Sequence, residues 1–256
     1  MIPRKKYRKA HHIVAIAVCV SLLMVSSSCG NTVSETKNGN TTAQSDDIGR
    51  MMSDGVGEKA ASSLSEYIDQ SIRMVESSQQ LKEFDPSGDA SRRILKVLER
   101  AKSQGGVSVS DYESVWADYK QCMVDRGYED IKLIKESNGI YKEAPHRAGT
   151  EEQNARYGQD MLECGTLTYA TIADVYKMQI GNPNLYKNQY EGALDCLRRN
   201  DVAPKGYTMD DFRFDLYEAA SKDELKLDIY KPEASQCLVA NDITVFSEDS
   251  VTEELW

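Results

Sequence analysis

The sequence predicts an α+β, mainly helical fold: two disulfide-stapled pseudo-repeat units, each helix–strands–helix, preceded by short helices and a disordered tether. Two observations predict it. A cysteine-bearing helical stretch occurs twice, at Tyr112–Met123 and Tyr186–Leu197, with an aromatic ten residues and another six residues before each cysteine. Each of these cysteines, Cys122 and Cys196, is followed at nearly equal distance by a second, Cys164 after 42 residues and Cys237 after 41.

The first 28 residues read as a leader. Arg4, Lys5, Lys6, Arg8 and Lys9 form a basic start, Ile13–Val25 is an apolar run too short to span a bilayer, and Ser26-Ser27-Ser28 precede Cys29-Gly30. This stretch resembles a bacterial lipoprotein signal, although Ser26 stands where that motif usually carries Leu. The resemblance implies that Cys29 is lipidated and becomes the N-terminus, with the membrane as partner through that lipid. The location implied is the outer, extracytoplasmic face of the cell membrane, or secretion if the lipid is not added. Cys19 would leave with the leader.

Residues 29–59 carry almost nothing to bury and are expected to be a flexible tether. From residue 60 to 106, Leu64, Tyr67, Ile68, Ile72, Val75 and Leu81, then Ile94, Leu95, Val97 and Leu98, fall at helical spacing. Asp85-Pro86-Ser87-Gly88-Asp89 alternates oxygens like a calcium loop, but Lys96 occupies the place of the closing Glu. A turn and helix cap is the expected reading. Gly105-Gly106 marks a break before the duplicated region, 107–256.

Ser110 with Glu113 predicts a capping box at the start of the first cysteine helix, and Gly127 predicts its end. Tyr112, Val115, Trp116, Tyr119, Cys122 and Met123 share one stripe, read as core. Asn182-Pro183 is the expected start of the second copy, with Tyr186, Tyr190, Ala193, Cys196 and Leu197 on the matching stripe. Apolar runs around Ser137-Asn138-Gly139 predict a hairpin whose turn residues take positive φ. Phe212–Leu216 and Leu225–Ile229 alternate as strands do, though Thr208-Met209-Asp210-Asp211 also suits a helix cap. Thr150–Ile180 reads as helix, interrupted at Gly165. The string Cys-Leu-x-x-Asn-Asp-aliphatic occurs at both Cys196 and Cys237, which sets Cys237 beside the first cysteines and leaves the phase of the repeat open.

The paired cysteines, with Trp116, Tyr190 and Arg126-Gly127-Tyr128, resemble a repeating pattern in secreted lipoproteins of actinobacteria. The resemblance covers roughly residues 110–240 and implies an envelope location and a stapled fold, with no active site to carry over. The second unit departs from it at Asn200-Asp201-Val202. Four body cysteines allow three pairings; the near-equal spacings favour Cys122–Cys164 and Cys196–Cys237.

The chain carries 31 cations against 41 acids, and without the five leader cations the balance is about −15, which disfavours nucleic acid as a partner. Beyond the leader one histidine remains, His146, set between Pro145 and Gly149 as a surface loop. Cysteines 42, 32 and 41 residues apart contain no short pair to grip zinc, and no phosphate-binding or nucleophile motif is present, so no cofactor and no metal are expected. Glu151-Glu152 and Asp210-Asp211 stand where helices begin, as the helix dipole favours. The function expected is a non-catalytic binding module of the cell envelope, for a protein or glycan partner. The alternative is an envelope hydrolase acting on glycan or peptide through paired carboxylates.

Overall fold

The structure, a computed structural model, describes residues 48–246, 250 and 252–255. The leader, Cys29 and the tether as far as residue 47 lie outside the described residues. From residue 64 onward, nine α-helices and one two-stranded hairpin follow among those described.

Ser63 starts α1 (Leu64–Ser77) by accepting the Glu66 N–H at 3.2 Å, and Ile68, Ser71 and Val75 form its buried face. Ser78 ends α1 and caps α2 (Gln79–Phe84), so one periodic run becomes two helices. The calcium-like stretch is a helix cap: Asp85 accepts the N–H groups of Ser87 at 3.1 Å and Ala90 at 2.7 Å, leading into α3 (Asp89–Gln104).

The first cysteine helix, α4 (Val109–Asp125), begins two residues earlier than expected. Ser108 caps it by accepting the Asp111 N–H, while Ser110 lies already inside the first turn. Strands β1 (Leu133–Lys135) and β2 (Tyr141–Glu143) pair antiparallel, Lys135 opposite Tyr141. Only Gly139 of the turn has positive φ, at 85°, because the connection runs from Glu136 to Ile140 rather than through two residues alone. Thr150 and Gln153 form a capping box at α5 (Glu151–Leu167), and α6 (Ala170–Gly181) follows a break at Thr168 and Tyr169. That break is displaced from the expected Gly165, which lies inside α5 and leaves room for the Tyr169 ring, 3.2 Å from where a Cβ would stand.

The second cysteine helix, α7 (Gln189–Arg199), starts at Asn188, not Asn182. Asn182 instead closes a loop on Tyr186, accepting its N–H at 3.0 Å and donating to its carbonyl at 2.8 Å. Tyr186 therefore precedes the helix that its counterpart Tyr112 lies within. The strand expected at Phe212–Leu216 is helix α8 (Met209–Tyr217), because Thr208 and Asp211 form a capping box and Phe212, Asp215 and Leu216 share a buried face at helical spacing. Leu225–Ile229 is not a strand either. The carboxylate of Asp215 takes the N–H groups of Lys226 and Leu227, both at 2.9 Å, and fixes that segment as a loop. Pro232 opens α9 (Pro232–Val239). Only the first of the two expected units is thus helix–strands–helix.

Two disulfides are present: Cys122–Cys164 joins α4 to α5 and Cys196–Cys237 joins α7 to α9. One core gathers Tyr112, Trp116, Tyr119, Met123, Cys164 and Ile172, the other Tyr190, Cys196, Leu197, Phe212, Cys237 and Leu238. The cysteine-bearing aromatic stripes are core, as their spacing suggests. The two cores meet where α6 abuts the end of α9: a Cβ on Gly181 would lie 2.1 Å from that of Ala240. The hairpin turn also grips α9, with Asn138 Nδ2 donating to the Gln236 carbonyl at 2.9 Å.

The expected tether stops short of residue 59. Met52 is 2% exposed in the second core, and Asn188 Nδ2 donates to the carbonyls of Met52 at 3.2 Å and Asp54 at 2.7 Å. Residues 48–59 belong to the folded body.

Candidate functional site

Helix α4 ends in a left-handed residue, Gly127 at φ 95°, whose geometry lets Tyr128 N–H close on Met123 O at 3.2 Å. The turn throws Arg126 and Tyr128 onto the face of α5. Arg126 donates to Asp160 at 2.7 Å and Glu163 at 2.5 Å, and Tyr128 OH donates to the other oxygen of Asp160 at 2.8 Å. Arg156, one turn before Asp160, returns a guanidinium N–H to the Arg126 carbonyl at 3.0 Å. Burial pushes the Asp160 carboxyl up, but Tyr128 and Arg126 outweigh it and hold the group below the usual range. Burial and Asp160 push Tyr128 up to about 12.

Beside this knot lies an open depression of about 410 Å³ lined by Val124, Gly127, Tyr128, Glu129, Asp130 and Leu255. Its floor is mixed, with an aromatic ring, two aliphatic side chains and two carboxylates. Leu255 reaches it from the far end of the described chain, held by a backbone ladder in which Glu253 N–H donates to Pro145 O at 2.9 Å and Arg147 N–H to Glu253 O at 2.8 Å.

On β2, Glu143 accepts the hydroxyls of Tyr119 and, at 2.7 Å, Tyr157. Both phenols are raised, first by burial and then by the Glu143 charge, so they stay protonated and act as donors. His146 packs its ring 4.5 Å from that of Tyr157, and burial lowers its pKa. It is therefore half-buried against α5, not on the free surface loop expected from its neighbours.

A third cluster has the residue types of a serine–lysine nucleophile. Lys142 Nζ lies 3.1 Å from Ser235 Oγ, and both contact Glu136 Oε1 at 2.8 Å. The directions are wrong for nucleophilic attack: Lys142 Nζ donates to the serine hydroxyl, and the serine donates to the Glu136 carboxylate rather than to the lysine. Ser235 is also 5% exposed. This is a buried ion pair that fastens the hairpin to α9.

Of the residues singled out in sequence, Arg126, Gly127 and Tyr128 are brought together at the depression, while Glu151-Glu152 and Asp210-Asp211 sit in the first turns of α5 and α8. Cys29 lies outside the described residues. Glu143, Asp160, Glu163 and Glu253 were not legible as partners. Their only sequence signal is the i, i+3 spacing of Asp160 and Glu163, which places both on one side of α5. Among the described residues no group of three His, Cys, Asp or Glu side chains is placed to hold a metal ion, and no helix is long and apolar enough to cross a membrane. Comparisons with protein-family models, curated proteins and solved structures each return no match.

Proposed function

We propose that the chain is an exported, lipid-anchored protein whose folded body is a non-catalytic binding module of the cell envelope. The observation that carries this reading is the closure of every cysteine beyond Cys29 in a disulfide, Cys122–Cys164 and Cys196–Cys237, behind a leader that ends in Ser-Ser-Ser-Cys29. Disulfides persist in oxidising compartments, to which such a leader would deliver the chain. Two acyl chains on Cys29 would hold it firmly at the membrane, each buried methylene contributing about 0.8 kcal/mol. The depression beside Tyr128 and Leu255 is the candidate binding face.

Binding is favoured over hydrolysis by what the nearby carboxylates already do. Asp160 and Glu163 are engaged by Arg126, and Glu143 lies under two phenols. The shared helix ends at Cys122, Cys196 and Cys237 support an origin by duplication in which these three positions correspond. The functional reading is tested by fractionating cells that express the wild type and Cys29→Ala. Wild type should sediment with membranes and the variant should appear in the medium or as an unprocessed precursor. Equal membrane retention at equal apparent mass would overturn the reading.

A further inference from the structure

The backbone ladder at residues 145–147 is built like a peptide-recognition slot. It offers Pro145 O and Arg147 N–H to an extended segment, and the parallel bridge pairs His146 with Glu253. A second backbone donor, Lys132 N–H, reaches the Glu253 carboxylate at 3.2 Å. Arg147 pairs with Glu254 at 2.7 Å, and Leu255 enters the first core at 2% exposure. Main-chain bonds, alternate side-chain contacts and an apolar anchor are the elements by which an added strand is read.

The occupant is held under electrostatic tension. Glu253 is 5% exposed, and among the described residues its carboxylate accepts from one backbone N–H, that of Lys132. Burial raises its pKa; Lys132, through its N–H and its cation, opposes this, and the charges of Glu143 on β2 and Asp130 before β1 add to it. Tyr157 on α5 also faces it and stays neutral. His146, adjoining on the ladder, is shifted the opposite way by burial.

We propose that the slot between residue 132 and residues 145–147 is a peptide-recognition site for an extended acid–acid–aliphatic segment, filled by residues 253–255 and opened as the pH rises. An acid whose docked pKa is raised binds its proton in the docked form. The stabilisation is complete below the ordinary glutamate range and is lost as pH climbs through the raised value. His146 contributes with the reverse sign, weakening docking as pH falls, so the direction of the response identifies the group. Release would take Leu255 out of the wall of the depression and extend it toward the first core. This inference does not depend on membrane anchoring.

Hydrogen exchange of the Arg147 amide in the intact protein, corrected for intrinsic chemistry, tests it. Between about pH 4 and about pH 8 its protection should fall severalfold relative to the Tyr141 amide, and Glu253→Gln should flatten that response. Protection independent of pH in the wild type, or an equal fall in Glu253→Gln, would overturn the opening. In Leu255→Ser, where the chain's own segment competes weakly, the free peptide Thr-Glu-Glu-Leu-Trp in about millimolar excess should restore protection at Arg147. No restoration would overturn recognition of this segment class.

Discussion

Asp201 and Asp242 hold the same left-handed backbone state, φ 55° and 59°, each five residues beyond one half of the disulfide that joins α7 to α9. The match extends to the bonds around them. Asn200 and Asn241 each return a side-chain N–H to the carbonyl of their cysteine, at 2.8 and 2.9 Å. Val202 N–H closes on Leu197 O and Ile243 N–H on Leu238 O, both at 2.9 Å. Cys122 ends its helix alike, with Gly127 in the left-handed place and Tyr128 N–H on Met123 O. Cys164 does not: Thr168 Oγ caps its carbonyl at 2.6 Å, without a left-handed residue.

Glycine fits the left-handed place without steric cost, whereas aspartate carries strain there. Asp201 is exposed and forms no ion pair among the described residues. Asp201→Gly should therefore stabilise the fold by about 0.5–1 kcal/mol in thermal unfolding. Asp242→Gly should gain less, because Asp242 also pairs with Lys177 at 2.6 Å.

Closing loops of 42 and 41 residues stabilises each unit by about 4 kcal/mol in the chain-entropy model. Replacing Cys196 and Cys237 together by Ala should loosen α7 and α9 first in hydrogen exchange, with protection in α4 and α5 retained. Non-reducing peptide mapping of the wild type should recover Cys122 linked to Cys164 and Cys196 linked to Cys237, and any cross-linkage between the units would contradict the structure.

Asp215 is 2% exposed and accepts Tyr207 OH at 2.6 Å besides the N–H groups of Lys226 and Leu227. Truncation orphans three donors at once. Asp215→Ala should cost about 2–4 kcal/mol in denaturant unfolding and expose the 218–227 segment to protease. A loss under about 0.5 kcal/mol would contradict its role in setting that loop.

Several carboxylates lie below their usual range, Asp111 through Arg100 and Asp160 through Tyr128 and Arg126 against its burial. Groups depressed in the folded state contribute stability above their unfolded pKa and lose it as pH falls through the folded value. The acid limb of the stability profile should therefore be set by these residues below about pH 4. Asp160→Asn should lower stability at neutral pH and flatten that limb.

The helix over Glu151–Leu167 was legible because an apolar face at helical spacing follows Glu151-Glu152, which suit a helix start. Phe212-Arg213-Phe214-Asp215-Leu216 misled because its alternation also fits a helix, and only the capping box at Thr208 tips the balance. Asn182-Pro183 looked like a helix start, yet Asn182 spends both ends of its amide on Tyr186 and passes the cap to Asn188. The pairing of cysteines followed from spacing. Arg126 with Asp160, Glu143 with Tyr119 and Tyr157, and Glu253 with Lys132 were hidden, since each joins positions 14 to 121 residues apart and depends on tertiary packing.

The most direct test of the proposed function is the mass of the mature N-terminal peptide from the membrane fraction of the native host. Cleavage before Cys29, with a diacylglyceryl group on its sulfur, is the result predicted. A membrane-bound chain that retains Met1, or one that begins elsewhere with Cys29 unmodified, would contradict it.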